Sequence, residues 1–168
     1  MDRIELHQGD ITALDVDAIV TAANSSLSGG AGVDGAIHRA AGPELLAACQ
    51  QLGGCPSGEA RITPGFQLQA RHCIHAVGPI WYGGDRGEAQ VLATAYQASC
   101  ALAAQAGCRS LAFPAISCGI YGYPLDQAAQ ISVASIWGWC ASNELPERVI
   151  LCAIDDEAYA AWERALSG

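Results

Sequence analysis

Residues 21–38 read T-A-A-N-S-S-L-S-G-G-A-G-V-D-G-A-I-H, from Thr21 to His38. The residues just before, Ala18-Ile19-Val20, are apolar and read as a buried strand. Val33-Asp34-Gly35-Ala36-Ile37-His38, at the other end, reads as the start of a helix. Glycine-rich backbone between a strand and a helix start offers bare N–H groups and the positive end of the helix, which is how a chain cradles an anion. Asn24 and Asp34 bracket the glycines, so this cradle also carries an amide and a carboxylate capable of chemistry.

Working outward, strand-like runs fall at 3–7, 18–22, 59–63, 72–77, 110–113 and 148–154, with helical patterns between them at 34–41, 43–51, 88–106, 125–142 and 157–166. Pro43 suits a first helical position, Gly107 a helix stop and Pro124 another start. Residues 86–88 and 143–147 read as surface loops. Strands alternating with helices imply a mostly parallel sheet covered on both faces. No internal repeat, low-complexity tract or linker divides the 168 residues, so one domain over 1–168 is expected. A second glycine loop repeats the logic of the first: strand-like Leu111-Ala112-Phe113-Pro114-Ala115-Ile116 runs into Ser117-Cys118-Gly119-Ile120-Tyr121-Gly122-Tyr123-Pro124. Ligands of α/β sheets sit beyond the carboxyl ends of the strands, so two such loops suggest a diphosphate gripped from two sides.

Composition narrows the chemistry. The chain is 51% hydrophobic and 15% charged, which argues against disorder. No apolar run approaches the roughly 20 residues of a membrane span. Met1-Asp2-Arg3-Ile4-Glu5 lacks the basic-then-apolar order of a secretory leader, so a cytoplasmic protein is expected. The eight cysteines are scattered, several lie in apolar segments and none forms C-x-x-C, so reduced thiols are expected rather than disulfides or structural zinc. Net charge is −9 and every basic side chain other than histidine is Arg. The acidic balance offers no nucleic-acid-binding face. Without Lys there is no Schiff base and no P-loop lysine, so an anion must be held by backbone N–H groups, helix ends or an Arg.

Other motifs fit poorly. Gly30-Ala31-Gly32-Val33-Asp34-Gly35 matches the dinucleotide pattern G-x-G-x-x-G, but about seven residues separate it from its strand, and no acidic strand end follows about 20 positions on. Cys55 to Arg61 matches the phosphatase spacing C-x5-R, yet Glu59 would put a carboxylate in the anion cradle and the segment precedes a strand, so a turn is expected. His72 and His75 would face opposite sides of a strand and cannot share a metal. Trp81, Trp137, Trp139 and Trp162 read as packing residues. Cys118 lies in the second loop without an evident base to activate it. For Asn24 and Asp34 the structural alternatives are a turn amide bonding its own backbone and a helix cap.

Taken together, the chain resembles the MacroD-type macrodomains, a family of ADP-ribose-binding proteins that includes O-acetyl-ADP-ribose and mono-ADP-ribose hydrolases. The resemblance rests on Gly9-Asp10-Ile11-Thr12, Val16-Asp17-Ala18-Ile19-Val20, Ala22-Ala23-Asn24-Ser25, Gly32 through Pro43, Gly58 through Thr63, His75-Ala76-Val77-Gly78-Pro79 and Phe113 through Pro124. It implies a three-layer α/β/α sandwich on a mixed, largely parallel sheet. It also implies that Asp10, with Ile11 beside it, receives the adenine amino group. Gly30, Ala31, Gly32 and Val33 would wrap the distal ribose and a phosphate. Ser117, Cys118, Gly119, Ile120, Tyr121 and Gly122 would hold the diphosphate, and Asn24 and Asp34 would match the hydrolytic pair. The implied reaction is hydrolysis of ADP-ribose esters, either O-acetyl-ADP-ribose or mono-ADP-ribosylated acidic side chains on proteins, with no metal or cofactor. The alternative is a reader that binds ADP-ribose without cleaving it. Four positions depart from the family pattern: Thr21 stands where Asn is usual, Ala31 for a glycine, Cys118 for Thr and Ile154 where an aromatic ring often meets the adenine. A positive φ at Ala31 would cost about 1–2 kcal/mol.

Overall fold

The structure, a computed structural model, describes residues 3–168. Met1 and Asp2, part of the segment read for a leader, lie outside the described residues. Six strands form one sheet: β1 (Ile4–Gln8), β2 (Ala18–Ala22), β3 (Ala60–Pro64), β4 (His72–Ala76), β5 (Ser110–Phe113) and β6 (Arg148–Ala153). Five α-helices accompany them: α1 (Gly32–Ala41), α2 (Pro43–Leu52), α3 (Glu88–Gln105), α4 (Leu125–Ser142) and α5 (Asp156–Ser167). A short 3-10 turn, Ile11–Ala13, has no counterpart in the sequence reading.

The sheet order is β1-β6-β5-β2-β4-β3, and every pairing is parallel except that of β3 with β4. Alternating side chains divide the core between two faces. Ile19, Cys73, Ala112 and Ile150 pack with Ile37, Ala41 and Leu45 of α1 and α2. Ala18, Val20, Ile74, Leu111, Phe113 and Val149 pack against α3, α4 and α5. The result is the expected α/β/α sandwich on a mixed sheet. Since β6, β5 and β2 are parallel neighbours, their carboxyl ends emerge on one edge, which brings both glycine loops and residues 154–158 together.

Two local readings change. The helix expected from Asp34 begins at Gly32, so Asp34 lies in its first turn instead of capping it, and Ala31 takes the cap position without a side-chain bond. Residues 86–88 are not a surface loop throughout, because Glu88 is buried at the start of α3. Its carboxylate accepts hydrogen bonds from the amides of Tyr82, Gly84 and Arg86. No helix among the described residues is long and apolar enough to cross a membrane. All eight cysteines are free, and seven of them are buried.

Candidate active site

The two glycine loops face each other across a cleft of about 650 Å³, within the roughly 300–1,000 Å³ of small-molecule sites. Asn24, Gly30, Ala31, Gly32, Val33 and Asp34 line one side, and Ser117, Cys118, Gly119, Ile120 and Tyr121 the other. Among the described residues, no protein acceptor meets the amides of Gly32 and Val33 in the first loop or of Gly119, Ile120 and Tyr121 in the second. These unpaired N–H groups form the anion cradle that the sequence implied. No Arg lines the cleft.

In the first loop, Gly32 has φ +60°, whereas Ala31 is extended at φ −97°. The left-handed position therefore falls on a glycine, and the substitution at Ala31 carries no backbone strain. A Cβ on Gly35 would come within 2.6 Å of the Gly30 carbonyl oxygen, so only glycine lets α1 approach the loop this closely.

Asp34 is 4% exposed. Its Oδ1 accepts the Thr21 hydroxyl at 2.7 Å and lies 3.6 Å from His38 Nε2. Burial raises its pKa, and this outweighs the opposing effects of the Thr21 hydrogen bond and the His38 charge. Thr21 thus occupies the family's asparagine position in direct contact with the candidate catalytic carboxylate. Asn24 lines the cleft, but its side chain also fastens its own turn. Nδ2 donates to Gly29 O at 3.0 Å and to Ser28 Oγ at 3.3 Å, while Oδ1 accepts from the Ser28 amide at 3.1 Å.

In the second loop, Ser117 is left-handed at φ +68°, and its hydroxyl is turned away from the cleft to donate to Pro79 O at 2.7 Å. Its contribution to the cleft is therefore through the backbone. Burial pushes the Cys118 thiol up to about 12, which leaves it protonated and a poor nucleophile at neutral pH. Ile120 is 88% exposed at the rim. Gly122 closes the loop by donating to Gly119 O at 3.0 Å and lies outside the lining.

Asp10 and Ile11 also lie outside the lining. Ile11 is turned into the core against the α1/α2 face, and Asp10 caps the 3-10 turn by accepting from the Thr12 amide and hydroxyl. Asp10 does stand close to the cleft, because the neighbouring Gly9 carbonyl accepts from the thiol of Cys152, a lining residue. Sequence reasoning missed Gly78, Cys152, Asp155 and Glu157 as lining residues. For Asp155 and Glu157 the signal was available, since they follow β6 at the same sheet edge.

The rejected motifs stay apart from this site. Arg61 bonds Glu59 and the Ala60 carbonyl, and Cys55 is buried with its thiol on Pro56 O. His75 is buried against the α1/α2 layer, with His72 on the opposite face of β4. The sequence nevertheless suggested no metal-ligand cluster, and here the fold adds something: His38, Cys49 and His75 bring one ligand atom each to within 4.8 Å of one another.

Fold and cleft together define an α/β/α domain with a glycine-walled anion site at the carboxyl ends of its central strands. The chain belongs to the Macro domain family, whose model matches residues 20–132. A Macro domain-containing protein of Mesorhizobium japonicum is 54% identical over 167 residues, covering 99% of this chain and 95% of that protein. The O-acetyl-ADP-ribose deacetylase of Klebsiella pneumoniae is also 54% identical over 167 residues, covering 97% and 95%. Among solved structures, an Oceanobacillus iheyensis macrodomain variant with ADPR superposes with a TM-score of 0.93 at 41% identity, covering 98% of this chain and 91% of that one. The Trypanosoma brucei macrodomain in complex with ADP-ribose gives a TM-score of 0.92 at 38% identity, covering 98% and 69%.

Proposed function

We propose that this protein is a hydrolase that binds ADP-ribose and cleaves esters at its distal ribose. The substrates would be O-acetyl-ADP-ribose or mono-ADP-ribose carried on acidic side chains of proteins. The observation that carries this reading is Asp34, a buried carboxylate with a raised pKa set in the wall of a cleft whose unpaired amides suit a diphosphate. The deacetylase named among the relatives supports the same chemistry.

In this mechanism the unpaired amides of Gly32, Val33, Gly119, Ile120 and Tyr121 hold the diphosphate and bend the distal ribose toward Asn24 and Asp34. Asn24 positions a ribose hydroxyl. Asp34 orients a water and takes its proton as the oxygen attacks the ester carbonyl. The bond from that carbonyl to the ribose oxygen then breaks as Asp34 returns the proton to the leaving oxygen, giving a free acid and ADP-ribose. A general base contributes typically 10²–10⁴-fold, and burial moves Asp34 toward the pH at which it would work. The step calls on no cofactor or metal. The free thiols support a reducing, cytoplasmic setting.

A reader that binds ADP-ribose without cleaving it is the second reading, favoured by the commitment of the Asn24 amide to its own turn. Incubation with O-acetyl-ADP-ribose and with a glutamate-linked mono-ADP-ribosylated protein separates the two. Release of ADP-ribose from either supports the hydrolase. Calorimetric binding of ADP-ribose with no release from either substrate establishes the reader.

A further inference from the structure

We propose that His38, Cys49 and His75 form a binding site for one zinc-class divalent cation, on the α1/α2 side of the sheet behind the Asp34 wall of the cleft. The inference rests on these three side chains and stands apart from the hydrolase reading.

Three elements supply the donors: α1 gives His38, α2 gives Cys49 and β4 gives His75. Cys49 and His75 are each 1% exposed and His38 is half-buried, so the set is shielded from bulk water. Two imidazoles and a thiol are the donor types that zinc prefers, and three protein ligands leave one position open. With Zn–S about 2.3 Å and Zn–N about 2.0–2.1 Å, a tetrahedral site holds sulfur and nitrogen about 3.6 Å apart. Cys49 Sγ stands 3.7 Å from both Nδ1 and Nε2 of His75, a separation that suits that edge once the imidazole tilts to aim Nδ1 at the shared ion. The two imidazole ring centroids are 6.4 Å apart, so His38 must close by about an ångström to complete the set.

The surrounding bonds suit ligation. Thr63 Oγ1 lies 3.0 Å from His75 Nε2, and its own hydroxyl can donate to Pro64 O at 3.1 Å. With the Thr63 proton on Pro64, Nε2–H donates to Thr63 and Nδ1 is the unprotonated nitrogen, the kind of outer bond that fixes a ligating histidine. Forming the metal–sulfur bond releases the Cys49 thiol proton to solvent. The Asp34 carboxylate, 3.6 Å from His38 Nε2, is placed to sense the bound charge.

The test is titration of the metal-free full-length protein with Co2+ and then Zn2+, followed by optical absorption and calorimetry. The expected result is one equivalent of Co2+ with a thiolate-to-cobalt charge-transfer band that Zn2+ displaces. Cys49→Ser and His38→Gln should abolish the band and weaken Zn2+ binding by more than the about 10–100-fold that outer-shell changes cost. Cys140→Ser, remote on α4, should leave both unchanged. Cooperative thermal unfolding of each variant establishes that it is folded. Absence of a band in the unaltered protein, or its survival in folded Cys49→Ser, overturns the site and leaves the three side chains as a hydrogen-bonded core cluster.

Discussion

The Thr21 hydroxyl, fully buried and 2.7 Å from Asp34 Oδ1, ties the most unusual residue of the motif to its carboxylate. Such a bond favours the ionised acid, and hydrogen bonds to charged groups contribute about 1.5–3 kcal/mol. Thr21→Val keeps the shape and removes the donor. The acidic limb of the pH–rate profile should then move up by about one to two pH units, and Thr21→Ser should move it back. An unshifted limb would remove Thr21 from the control of Asp34. Asp34 itself should trade stability for activity. Its folded pKa is raised above the ordinary 3.8, so its contribution to stability is fully present below that value and is lost as pH rises through the folded pKa. At neutral pH the buried charge therefore opposes folding. Asp34→Asn, which can still accept from Thr21, should melt higher at pH 7, by about 2–4 °C per kcal/mol relieved, and the advantage should vanish below about pH 3.8. Hydrolysis should fall about 10²–10⁴-fold in the same variant. An unchanged rate would shift activation of the water to a substrate phosphate.

At the scale of elements, the second loop is held from outside itself. Trp81 donates its amide to Tyr121 O at 2.9 Å and sets its ring against Tyr123 at a tilt of 53°, with centroids 4.6 Å apart, while Ser117 holds Pro79. Glu88 in turn gathers the amides of Tyr82, Gly84 and Arg86, and these bonds lower its pKa to about 2. The sign here is opposite to that of Asp34. The anchoring is present above the ordinary 4.5 and is lost as pH falls toward about 2. Glu88→Ala should speed hydrogen exchange at those three amides and weaken ADP-ribose binding by roughly tenfold through the loosened loop. Unchanged exchange at Tyr82, Gly84 and Arg86 would show that the segment holds itself in place.

For the whole molecule, net charge −9 and a cleft without Arg mean that an anionic ligand meets backbone dipoles inside a repulsive field. Added salt screens the long-range repulsion and leaves the short amide contacts, so ADP-ribose affinity should stay flat or tighten slightly from about 50 to 300 mM salt. A steep loss by calorimetry would instead point to binding through arginine. The sequence by itself determined the elements: β2, β5 and α4 begin and end where apolar period, proline and glycine place them, because those signals are local. It also showed both glycine loops, since their chemistry is written in consecutive residues. Only the tertiary structure decided that Thr21 bonds Asp34 and that Glu88 is an anchor. It likewise turned Ile11 inward and made His38, Cys49 and His75 neighbours. Residues such as Cys49 and His75 lie on separate elements, and their contact exists only once α1, α2 and β4 have packed.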